Sequence, residues 1–181
     1  MPDGMRKVMV VEDSDDYTLL LSRALNHSRR FQIVWRAKDG QEAIAYLTGA
    51  GKFSDRQRFP FPEAVLLDIQ LPVKSGFEVL QAVAQQKDRP KIVMLTVLEH
   101  EANHQKALNA GADEFKEKPY EEKQLAEFVR WLDEWIGKRA TSAAALRSQS
   151  RSPKPVSPGK PRHRGSAHGE SAEDRRRRSG R

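Results

Sequence analysis

Apolar runs and helical spacings alternate along the first 138 residues. Short unbroken apolar runs cover 7–11 (KVMVV), 31–36, 64–67 (AVLL) and 91–95 (KIVML), with a weaker one at 113–117. Runs of this length without polar alternation predict strands covered on both faces. Between them lie helical stretches over 15–28, 40–48, 76–86, 99–110 and 121–136. The last places Leu125, Phe128, Val129, Leu132 and Ile136 at i, i+3, i+4, i+7 and i+11, the stripe of an amphipathic helix. Five strands alternating with five helices predict a doubly wound α/β fold around a five-stranded parallel sheet.

Two segments stand outside this rhythm. The link 49–62 (GAGKFSDRQRFPFP) is long for a helix-to-strand connection, and its prolines and phenylalanines predict an ordered flap with a structural role. It lies at the N-terminal side of the strands, away from the edge where such sheets bind ligands. After Lys138 the chain changes to Arg, Ser, Pro, Gly, Ala and Lys, with no aromatic residue and only Leu146 and Val156 as large aliphatics. A segment so poor in apolar area cannot offset its ordering entropy, so 139–181 is expected to be a disordered tail beside a folded domain at 1–138.

Charge sharpens that division. The whole chain carries a formal +7, yet residues 139–181 hold 12 Lys and Arg against 3 Asp and Glu, leaving 20 against 22 in residues 1–138. The basic character belongs to the tail, whose Arg175–Arg178 run is read either as a solvated charge cluster or as a non-specific binder of nucleic acid or another polyanion. The tail has no aromatic residue for base stacking, so sequence-specific recognition is not expected. There is no cysteine, which excludes disulfides, thiolate metal sites and cysteine nucleophiles. No apolar run reaches membrane-spanning length and the first residues have no secretory pattern, so a soluble, cytoplasmic protein without membrane attachment is expected.

The chemistry sits at the predicted strand ends. Glu12 and Asp13 follow the first strand, Asp68 ends the third, Thr96 the fourth, and Lys118 follows the fifth. In an open parallel sheet these ends share one edge. Three carboxylates crowded there raise the cost of ionising one another and call for a counterion. An oxygen-rich cluster without His or Cys suits Mg²⁺. An Asp beside a metal, a Lys and a Thr hydroxyl is equipped to attack phosphorus. Asp15 and Asp16 are read instead as first-turn charges of the first helix, with Ser14 or Asp15 as its N-cap. Gly76 is read as the opening of the third helix. His100 and His104, at i and i+4, are read as a solvated helix face.

The motifs VMVVEDSDD, AVLLDIQLPVKSGFEVL, IVMLT and NAGADEF, with KP after the last strand, together make the chain resemble a response-regulator receiver domain over about residues 6–136. The long loop before the third strand and the lack of an effector domain resemble phytochrome-associated single-domain receivers. The resemblance implies a flavodoxin-like strand order 2-1-3-4-5 and Asp68 as phospho-acceptor. It implies Asp13 and Asp68 as Mg²⁺ ligands, Glu12 acting through water, and the Gln70 backbone carbonyl as a further ligand. Thr96 and Lys118 take the switch-hydroxyl and phosphate-contacting roles, and Phe115 that of the switch aromatic. The implied partners are a sensor histidine kinase or phosphotransfer protein and a downstream target meeting helix 4, strand 5 and helix 5.

Three residues depart from that pattern. Val97 stands where a small residue is usual, and its bulk is expected to narrow access to Asp68. Lys116 interrupts an apolar strand, and Phe115 lacks a hydroxyl. Trp131 and Trp135 share a helix face about 100° from the core stripe and are read either as flank packing or as a dimer or partner surface. Two further functions compete: a pseudo-receiver that takes no phosphoryl group and serves as a constitutive scaffold, and a dehalogenase-like phosphatase. The second requires another Asp two residues after the nucleophile, where this chain has Gln70, so no enzyme is expected.

Overall fold

The computed structural model describes residues 4–97 and 101–138. The expected tail at 139–181, and His100 with it, lie outside the described residues. Five strands, β1 (Arg6–Val11), β2 (Phe31–Ala37), β3 (Ala64–Asp68), β4 (Lys91–Thr96) and β5 (Glu114–Glu117), form one parallel sheet in the order 2-1-3-4-5. Helices α1 (Asp15–His27), α2 (Gly40–Thr48), α3 (Gly76–Val83), α4 (Glu101–Ala110) and α5 (Glu122–Gly137) alternate with them. None of the described helices is long and apolar enough to cross a membrane.

The period-2 alternation of the buried strands builds two cores. Val8, Val10, Leu66, Val93 and Leu95 face α1 and α5, where they meet Leu21, Leu25, Leu125, Phe128 and Leu132. Met9, Val11, Val65, Leu67, Ile92 and Met94 face the other way, toward Tyr46, Val79, Leu80 and Ala107. Each helix lies where its apolar stripe can be buried, and the expected α5 stripe is buried at every position. Boundaries differ from expectation mainly at α3, which stops at Val83 rather than at residue 86. At the sheet's ligand edge, Asp68 and Thr96 are themselves the last strand residues.

Strand β2 breaks the simple alternation. Val8 pairs with Ile33 but Met9 pairs with Trp35, so Val34 is an inserted residue. The bulge moves Trp35 to the α2 face, opposite Phe31 and Ile33. There the indole stacks on Tyr46 at 5.7 Å and meets the edges of Phe53 at 5.2 Å and Phe59 at 5.5 Å. Tyr46 Oη donates to the Pro60 carbonyl at 2.7 Å, and Arg56 donates to the carbonyls of Tyr46 and Leu47 at 2.8 and 3.1 Å, closing the end of α2. The 49–62 link is thus the ordered flap its aromatic residues predicted.

Lys116, Trp131, Trp135 and Lys91 form a second assembly on the α5 flank. The two indoles stack at 5.4 Å, with Lys116 4.8 Å from the centre of Trp131 and Lys91 4.8 Å from that of Trp135. Lys91 Nζ also donates to the carbonyls of Trp135, Ile136 and Lys138 at 2.8, 3.2 and 2.7 Å. The lysine that looked misplaced in β5 therefore caps an aromatic stack, and both half-buried indoles pack against the α1/α5 core.

Phe53 is the flap residue buried deepest among aromatic partners, at 2% exposure. Phe53→Ala is expected to lower unfolding free energy by about 3–5 kcal/mol, read by urea titration, because the aromatic box cannot close over the missing ring.

Candidate functional site

The carboxyl edge of the sheet gathers the predicted polar residues. Glu12 and Asp13 leave β1, Asp68 ends the adjacent β3, and one oxygen from each of the three carboxylates lies within 4.8 Å of the others. Glu12 and Asp68 are buried, at 2% and 5% exposure, while Asp13 faces solvent. Lys118 reaches in from beyond β5 and is itself only 6% exposed. Its ammonium bonds Glu12 Oε2 at 2.8 Å and Asp68 Oδ2 at 2.9 Å. The Lys118 backbone N–H donates to the Thr96 carbonyl at 2.7 Å, fixing the lysine to the end of β4. Thr96 is buried beside it.

The electrostatics follow from sharing one cation. Burial pushes the Glu12 carboxyl above its ordinary value of 4.5; the Lys118 bond opposes this and the Asp68 charge adds to it. Burial by itself would lower the Lys118 value, but the hydrogen bonds and charges of Glu12 and Asp68 together carry it above 10.5. The ammonium gains from two anions, whereas each anion has only a share of one ammonium. The cluster therefore keeps a net negative charge. Its all-oxygen donor set, without His or Cys, fits a hard divalent cation.

Local structure explains the positions. Glu12 Oε1 accepts from the Ser14 N–H at 3.2 Å, and Ser14 Oγ accepts from the Tyr17 N–H at 3.2 Å as the N-cap of α1. Asp15 serves outside the cluster, paired with Arg36 at 2.6 Å and Lys38 at 2.9 Å. Asp68 Oδ1 accepts from the Gln70 N–H at 3.2 Å. Phe115 is buried and stacks on the ring of His104 at 5.3 Å. His104 is exposed as expected, but its face covers this aromatic. Val97, expected to narrow access to Asp68, is 51% exposed. Trp131 and Trp135 lie on α5, outside the acidic cluster.

Two contributors escaped sequence reading. Tyr17 lies with its ring centre 4.9 Å from Lys118 Nζ, although its position in the first turn of α1 signals only a core residue. Gly76 does more than open α3: a Cβ there would stand 2.2 Å from the Asp68 carbonyl oxygen. The return of the loop to the end of β3, with Gly76 N–H on the Ile69 carbonyl at 3.0 Å, needs a residue without a side chain.

A parallel 2-1-3-4-5 sheet with an acidic cluster and a buried lysine at its carboxyl edge is the architecture of a signal receiver. The chain belongs to the response regulator receiver domain family, whose pattern matches residues 8–130. It is a signalling domain rather than a conventional enzyme. The phosphorylated cyanobacterial phytochrome response regulator RcpA is 28% identical with a TM-score of 0.65, over 76% of this chain and 98% of that one. The Mn²⁺-bound response regulator Rcp1 is 26% identical with a TM-score of 0.60, over 76% and 99%. The transcriptional regulatory protein CpxR of Klebsiella pneumoniae is 27% identical over 143 residues, 77% of this chain and 56% of that protein. The chain spans about half the length of the curated relatives it matches.

The raised lysine value gives a signed pH dependence. Lys118 contributes its full stabilisation below its unfolded value near 10.5 and loses it as pH rises through the higher folded value. Lys118→Met leaves two buried carboxylates without their cation and is expected to cost roughly 3–5 kcal/mol at neutral pH. The gap from wild type in urea titrations should be constant from neutral pH up to the ordinary lysine value and close above it. Gly76→Ala is expected to cost about 1–3 kcal/mol by overpacking, and amide NMR shifts should move from Asp68 to Gly76.

Proposed function

We propose that Asp68 accepts a phosphoryl group from the phosphohistidine of a sensor histidine kinase or phosphotransfer protein, with Mg²⁺ as cofactor. The observation that carries this reading is the meeting of Glu12, Asp13 and Asp68 with one buried lysine. Asp13, Asp68 and the Gln70 backbone carbonyl would hold the ion, with Glu12 acting through water. Bound there, Mg²⁺ would neutralise charge on the transferring group. The phosphorylated state of RcpA and the Mn²⁺ in Rcp1 support the same chemistry here.

In this reading the Asp68 carboxylate attacks phosphorus, the phosphorus–nitrogen bond breaks, and its electron pair leaves on the donor imidazole, giving an acyl phosphate. Lys118 exchanges its bond to Asp68 for one to a phosphoryl oxygen, and the Thr96 hydroxyl donates to another. Phe115 follows Thr96 as the switch aromatic, carrying the change to the surface of α4, β5 and α5. Trp131 and Trp135 border that surface, which meets a downstream protein or a second copy of the chain. We assign the receiver to residues 1–138, place it in the cytoplasm, and give the basic 139–181 segment a non-specific polyanion-binding role.

The test is labelling by phosphoramidate with and without Mg²⁺. Wild type should gain one phosphoryl group only with the metal, and Asp68→Asn none. Equal labelling of the variant would refute the assignment.

A further inference from the structure

We infer that Tyr17 is a positioning residue for Lys118: its ring face, not its hydroxyl, holds the ammonium between Glu12 and Asp68 and thereby sets the rate of phosphoryl transfer. The inference rests on the Asp68 reading of the site.

A closed circuit of contacts runs through the ammonium. Glu12 Oε1 accepts from the Ser14 N–H, Ser14 Oγ accepts from the Tyr17 N–H, the Tyr17 ring lies against the Lys118 ammonium, and that ammonium bonds Glu12 Oε2. One short segment, from the end of β1 into α1, therefore supplies both an acid of the cluster and the aromatic face that restrains its lysine. Lysine needs such a restraint. Its stem has four rotatable bonds, and two carboxylates compete for the ammonium at nearly equal distances, 2.8 and 2.9 Å. An aromatic face attracts the cation electrostatically, and strongly where water is excluded. Tyr17 is 4% exposed and Lys118 6%, so water is excluded here. The Tyr120 ring, 5.2 Å from Tyr17 at 54°, wedges it from the loop that follows Lys118.

The hydroxyl has no comparable role. Tyr17 Oη is buried without a hydrogen-bond partner among the described residues. Burial, with the charge of Glu12 next in importance, pushes its ionisation far above the usual tyrosine range, so it remains a neutral O–H. An unpaired buried hydroxyl is a cost that phenylalanine would not carry. The positioning role therefore belongs to the ring.

This separates positioning from simple core filling. Phosphoramidate labelling with Mg²⁺ is measured on the full chain for wild type, Tyr17→Phe, Tyr17→Met and Tyr17→Leu. Proton NMR of the Lys118 ε-methylene runs alongside, since an overlying ring shifts it upfield. Tyr17→Phe should label at the wild-type rate, keep the upfield shift and melt no lower than wild type. Tyr17→Met should label about tenfold more slowly and lose the shift, as expected for loss of a desolvated cation–π contact. Tyr17→Leu repeats the test if Met is not tolerated. A folded Met or Leu variant labelling at the wild-type rate would overturn the inference, as would equal slowing in Tyr17→Phe. Absence of the upfield shift in wild type would overturn it without any variant. If wild type takes no label at all, the Asp68 reading fails and the rate claim with it, whereas the Lys118 resonance still reports the ring contact.

Discussion

One ammonium shared by buried carboxylates is the constraint on which the rest of the structure turns. Glu12 follows β1 and Asp68 ends the adjacent β3, and neither could be buried there unpaired without a large desolvation penalty. The cation that offsets it comes from beyond β5, a strand separated from β3 by β4. A four-residue strand with a lysine in its middle is a weak anchor by itself. It is held by the Lys118 N–H on Thr96, by the buried Phe115 side chain and by Lys116 on the tryptophan stack. The edge of the sheet and its charged centre thus stabilise each other.

Helices α5 and α4 are held unequally. Helix α5 buries Leu125, Phe128, Val129, Leu132 and Ile136 and adds two stacked indoles. Among the described side chains of α4 only Ala107 is fully buried, with the His104 ring on Phe115 and Lys106 4.3 Å from the centre of the Phe77 ring as outlying contacts. Elements with little buried apolar area are those that shift at low cost. By that measure α4 is the helix beside β5 held by less buried apolar area among the described side chains.

Much of this was legible in the sequence because two strong signals coincide. Unbroken apolar runs marked the strands, and the polar residue closing each run fell on the ligand edge once the sheet was parallel. Glu12, Asp13, Asp68, Thr96 and Lys118 were found in this way. Short-range pattern failed where tertiary geometry decides. In FQIVWRA no fixed period of two places both Ile33 and Trp35 correctly, since the inserted Val34 depends on the aromatic box waiting across α2. Tyr17 reads as one more apolar position of α1, because nothing local reveals a lysine 101 residues later in the chain. Gly76 reads as a helix start, although its reason is a carbonyl eight residues earlier. Lys116 looked like a defect until Trp131 lay beside it.

The inserted Val34 has a consequence beyond seating an indole. Strand β2 is an outer strand, and an outer strand of regular pitch offers a ladder on which a foreign strand can build. An extra residue in the middle interrupts the even spacing of donors and acceptors, so a newcomer in register with one half of β2 is out of register with the other. The irregularity that brings Trp35 to its aromatic neighbours also makes that border a poor template for a second strand.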